Sequence, residues 1–112
     1  MAMKQYVIDE FRPGDADKIK KHLEKVFGPA EMGSIFWLSL PEDILTATQA
    51  AHENCRPFYF AVDVNDDQIA CELLVRSRNT IRCSCIAYAN RPQREWLISY
   101  IDSIFEALDI IT

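Results

Sequence analysis

Between Phe58 and Tyr88 apolar side chains recur at every second position in three successive runs, and no other stretch limits the fold as strongly. Phe58, Phe60, Val62 and Val64 alternate with Tyr59, Ala61 and Asp63. Ile69, Cys71, Leu73 and Val75 repeat the pattern, and Ile81, Cys83, Cys85 and Ala87 do so again. A period of two buries one side of a strand and leaves the other outside the core. Residues 58–88 therefore predict an antiparallel meander of three strands. Asn65-Asp66-Asp67-Gln68 suits a two-residue turn, since Asp and Asn tolerate positive φ, and it sets Val62 opposite Cys71. A three-residue loop, Ser77-Arg78-Asn79, keeps the third run on the same face. In that register Cys71 faces Cys85 and Leu73 faces Cys83, while Tyr59, Leu74 and Arg82 form an outer row with Arg76 and Tyr88 beside it.

The rest of the chain reads as helices and strands added to that sheet. Gln5 to Phe11 predicts a first strand at or near an edge. Arg12-Pro13-Gly14-Asp15 then starts a helix capped by Gly14 or Asp15, with Ile19, Leu23, Val26 and Phe27 as its apolar stripe and Gly28-Pro29 as its stop. Ile35-Phe36-Trp37-Leu38 fits a strand or a buried helical turn. Ser39-Leu40-Pro41-Glu42 has the form of a capping box and predicts a second helix to about His52. Asn90, with Pro92 and Gln93 following, caps a long last helix whose stripe is Leu97, Ile101, Ile104 and Leu108, widened by Tyr100 and Phe105. The fold class is α+β: one domain over 1–112, a mainly antiparallel sheet of four to five strands, a long C-terminal helix and two helices in the N-terminal half.

With 112 residues, 49% hydrophobic and 26% charged, the chain has enough apolar surface for one core. A net charge of −5 argues against nucleic acid, which needs a basic footprint. No apolar run approaches the roughly 20 residues that span a bilayer, and the start lacks the apolar core of a secretory signal. These features point to the cytoplasm, where the four cysteines stay reduced. From Leu73 to Arg94 there are five arginines and no acid, a bias that suits a small anionic ligand.

Three constellations carry candidate chemistry. Cys71, Cys83 and Cys85 form a candidate thiol or metal site, but a Cys-x-Cys inside an apolar strand turns both side chains into the core, and the expectation is no metal. His22 and His52 have no nucleophile or second ligand at a useful spacing. The outer set, Tyr59, Leu74, Arg76, Arg82 and Tyr88, mixes aromatic, aliphatic and charged groups. Such a face needs a cover: a helix of this chain, a ligand or a second subunit.

The order strand, Arg-Pro-x-Asp, helix, helix, hairpin, strand, helix resembles the first two-thirds of the GNAT family of N-acetyltransferases. The likeness is carried by Phe11 to Ala16, by Phe60-Ala61-Val62-Asp63 and by Ile86 to Arg94. It implies an acyl-CoA-binding, N-acyltransferase-like protein that takes acetyl-CoA as cofactor and its phosphates at Arg91 and Arg94. Close approach of backbone to phosphate calls for glycine, and Arg91-Pro92-Gln93-Arg94-Glu95 has none. The residues themselves offer no catalytic set. The expectation is a non-catalytic interaction or regulatory domain without a cofactor, homodimeric through a sheet edge or the mixed outer face, with acyl-CoA binding as the alternative.

Overall fold

A computed structural model describes residues 4–77 and 85–111. The chain folds as α+β with an antiparallel sheet of six strands: β1 (Gln5–Asp9), β2 (Ile35–Ser39), β3 (Phe58–Val64), β4 (Gln68–Glu72), β5 (Leu74–Ser77) and β6 (Ala87–Tyr88). Three α-helices accompany it: α1 (Pro13–Phe27), the short α2 (Ala47–Ala51) and the C-terminal α3 (Arg91–Ala107).

The first hairpin has the expected register, with Val62 opposite Cys71 and Val64 opposite Ile69. Its turn forms without left-handed backbone at Asp66 or Asp67, because the non-glycine residues with positive φ are Glu10, Met32 and Asp109. One flank of β3 carries β2 from Ile35 opposite Asp63 to Ser39 opposite Tyr59. The other carries β4 and then β5, in which Tyr59 faces Arg76. From Val62 to Tyr59 β3 advances three residues, while the partner advances five from Cys71 to Arg76. A bulge of two extra residues thus sits around Leu73. Two extra residues keep the side-chain alternation in phase, so Ile69, Cys71, Leu73 and Val75 all remain buried.

Leu73 is also where the outer neighbour changes. Its N–H donates to Lys4 O at 2.9 Å and its carbonyl accepts from Ala89 N at 2.7 Å. Before it β4 pairs with β1, and after it β5 pairs with β6. The expected row is corrected here. Leu74 faces Tyr88, not Arg82, and Tyr59 faces Arg76, not Leu74, because the bulge displaces one register and the return strand joins six residues later than a tight loop would allow. Arg82, Cys83 and the loop 78–80 lie outside the described residues.

Two caps also differ from expectation. The first helix starts at Pro13, with Asp15 accepting from Arg12 N at 3.3 Å, so Arg12 rather than Gly14 or Asp15 is the N-cap. Ser39 does not cap the second helix. Leu40 N donates to Phe58 O, drawing Ser39 into β2, and a 3-10 turn at Glu42–Ile44 ends at an extended Leu45. The cap is Thr46, whose hydroxyl accepts from Gln49 N while Gln49 Oε1 accepts from Thr46 N.

Both long helices pack on one face of the sheet. Ile19 and Leu23 of α1 and Leu97 and Ile101 of α3 are fully buried with Phe58, Phe60, Val62 and Val64. Rings from three elements form a ladder: Phe60 stacks on Trp96 with centroids 6.3 Å apart, Trp96 on Tyr100 at 5.4 Å, and Phe27 meets Tyr100 edge-on at 5.9 Å. At one end of this layer two buried glutamines, each the third residue of its helix, meet. Gln93 Nε2 donates to Gln49 Oε1 at 2.9 Å and to Ile44 O at 3.0 Å, while Gln49 Nε2 donates to Cys85 O at 3.3 Å.

Candidate interaction face

The sheet face opposite the helices is built from the alternate residues of all six strands. Val7, Ala70, Asp63 and Ile35 form one row across β1, β4, β3 and β2. Next to it Gln5 faces Glu72 and Ala61 faces Trp37; beyond lie Arg76 opposite Tyr59, and Leu74 opposite Tyr88. Of the residues singled out in the sequence, Tyr59, Leu74, Arg76 and Tyr88 all come to this face. Neither α1 nor α2 covers it. α1 buries its apolar stripe among the inner-face residues, and Gln49 ties α2 to the start of α3.

The chemistry of the face changes along the strands. At the end near the first hairpin it is small and acidic. Gln5, Ile35, Ala61, Asp63, Ala70 and Glu72 line a groove of about 210 Å³. Asp63 Oδ1 is shielded from solvent there and makes no hydrogen bond among the described residues, an arrangement that costs free energy unless a donor reaches the carboxylate. The other end is large and cationic. Trp37 meets Tyr59 edge-on at 6.2 Å, and Lys4 Nζ lies 5.9 Å from the centre of the Tyr88 ring. Between the ends Arg76 Nε donates to Glu72 Oε1 at 2.6 Å, and this bond raises the already high Arg76 pKa.

Arg91 and Arg94 do not converge. Arg91 pairs with Glu95 at 2.9 Å, and Arg94 Nη1 donates to Ala89 O at 2.9 Å. Gln93 N, at the start of α3, donates to Asn90 Oδ1.

The thiols lie in the core. Cys55, Cys71 and Cys85 are buried, and among the described residues no three His, Cys, Asp or Glu side chains are placed to share a metal ion. Burial, with the charge of Asp102 adding to it, pushes the Cys71 thiol up to about 12, so thiolate is scarce at neutral pH. Tyr6 donates to Asp102 Oδ1 at 2.7 Å, and burial together with that bond raises it to about 12 as well.

These shifts carry a linkage prediction. Both groups have folded pKa values above the ordinary values of 9.0 and 10.0, so their neutral forms stabilise the fold below those values, and the contribution is lost as pH rises toward 12. Urea midpoints should be insensitive to these two groups at neutral pH and fall steeply above pH 9. Cys71→Val should flatten the first part of the fall and Tyr6→Phe the second. If both variants followed the wild-type profile, this assignment would be wrong.

Comparison with protein-family models, with curated proteins and with solved structures gave no match. No helix among the described residues is long and apolar enough to cross a membrane.

Proposed function

We propose that this chain is a non-catalytic interaction domain that self-associates through the outer sheet face. The carrying observation is that the described helices leave this face uncovered although it holds Ile35, Trp37, Tyr59, Leu74 and Tyr88 among its charges. Apolar side chains concentrated on an uncovered sheet face favour a partner that removes them from water. The face has aromatic residues and arginine, types enriched in interfaces. The charges in its middle, Arg76 and Glu72, are matched to each other within the chain.

Sedimentation at micromolar concentration tests this. The expected result is a dimer that Tyr59→Ala and Leu74→Ala each weaken by tenfold or more, the order of effect of truncating a central interface side chain. A strict monomer, or variants that associate like the wild type, would overturn the reading. The acyl-CoA alternative is decided in the same preparation by calorimetry with acetyl-CoA. Absence of heat at millimolar ligand removes it, whereas saturable heat abolished by Arg94→Ala would replace self-association as the function.

A further inference from the structure

The outer face is unlike at its two ends in size and in charge together, and both differences bear on how a twin would dock. At the hairpin end are a groove floored by Ala61 and Ala70 and the unsatisfied Asp63 carboxylate, with Glu72 also in the lining. At the other end Tyr59 and Arg76 stand side by side as a cross-strand pair. Asp63 and Tyr59 are four residues apart on the same strand, about 13 Å at the usual rise.

Two sheets that stack face to face by two-fold symmetry have their axis in the plane between them. With the axis along the strands, each end lies over its own copy: Asp63 meets the acidic end of the twin, and Tyr59 meets Tyr59. With the axis across the strands, each end lies over the other. Like charges in the first arrangement repel, whereas the second matches hole with bulk and acid with cation.

Resting on the self-association proposed above, we infer that the axis runs across the strands, so that Tyr59 and Arg76 of each copy enter the Ala61–Ala70 groove of its twin, and Arg76, while keeping its bonds to Glu72 through Nε and Nη2, turns Nη1 to the Asp63 carboxylate. Arg76 is one strand to the side of the position directly over Asp63, a spacing of about 4.8 Å that its long side chain spans. The contact occurs twice per dimer. It gives Asp63 Oδ1 the donor that the described residues of its own chain do not supply.

Charge reversal tests the contact. Asp63→Arg alone and Arg76→Asp alone should each weaken the dimer by at least about thirtyfold, because each sets like charges together twice. Mixed in equal amounts, the two variants should form a heterodimer of near wild-type affinity, since one contact is then the native Arg76–Asp63 pair and the other the same pair with its polarity exchanged. A wild-type monomer defeats the self-association reading itself. A wild-type dimer that both reversals leave intact, or two monomeric variants that fail to recombine, overturns only the docking geometry. Should either reversal fail to fold, Asp63→Asn, which keeps side-chain size, and Arg76→Gln, which removes the charge and keeps part of the aliphatic stem, replace them, and their coupling in a double-mutant cycle decides. Coupling near zero overturns the contact.

Discussion

Replacing Gln93 by leucine should destabilise the protein by about 3 kcal/mol or more, since the bonds it removes lie where water cannot replace them. Gln93 is fully buried. Its amide nitrogen serves Ile44 O and Gln49 Oε1, and its oxygen accepts from Asn90 N at 3.1 Å. Leucine fills a similar volume and leaves those groups without that partner. The loss should appear in urea as a lower midpoint at an unchanged slope. Asn90→Ala, which removes the other half of the same cap, should cost only about 1 kcal/mol. That contrast separates a capping effect from a network effect. Equal losses in the two variants would mean that the Gln93–Gln49 link contributes nothing of its own.

Phe60→Ala should cost about 4 kcal/mol, in the range of large-to-small changes at buried aromatic positions. Phe60 has no exposed surface and lies in the middle of β3, between two paired strands, with its ring against Trp96. Its backbone pairs with Leu38 of β2 on one side and lies opposite the bulge on the other. The variant should also lose near-ultraviolet dichroism from Trp96, because the stack that fixes the indole is gone. A loss under about 1 kcal/mol, far below that range for such sites, would show that the ladder rearranges instead.

The alternating runs in β3 and β4 were legible because a single solvent-facing side fixes the period, and the Asp66-Asp67 turn fixed their register. The cap of α3 was legible for a local reason, the reciprocal bonds of Asn90 and Gln93. The bulge around Leu73 was not, since an insertion of two residues preserves the alternation and leaves no trace in the pattern. This is why Tyr59, Leu74, Arg76 and Tyr88 come to one face in pairs other than those expected. The start of α2 was misplaced for another reason. Ser39 and Thr46 both open a capping-box spacing, and only the pairing of Leu40 with Phe58 decides between them. Thr46-Ala47-Thr48-Gln49 carried the signal for the true cap. Asp63 had no signal of its own: its lack of a partner is a property of the assembled groove.

The bond pattern at Leu73 also orders events in time. β1 and β6 meet the same bent strand, one arriving from Lys4 and the other from Ala89. Neither has an edge to pair with until β4 and β5 lie along β3. The hairpin through Asp66 and Asp67 closes a short loop and is cheap to form early, whereas docking β1 spans more than sixty residues of chain, from Gln5 to Glu72, and must wait for that template. Changes at Val62, Val64 or Ile69 should therefore slow folding, while changes in β1 should chiefly hasten unfolding.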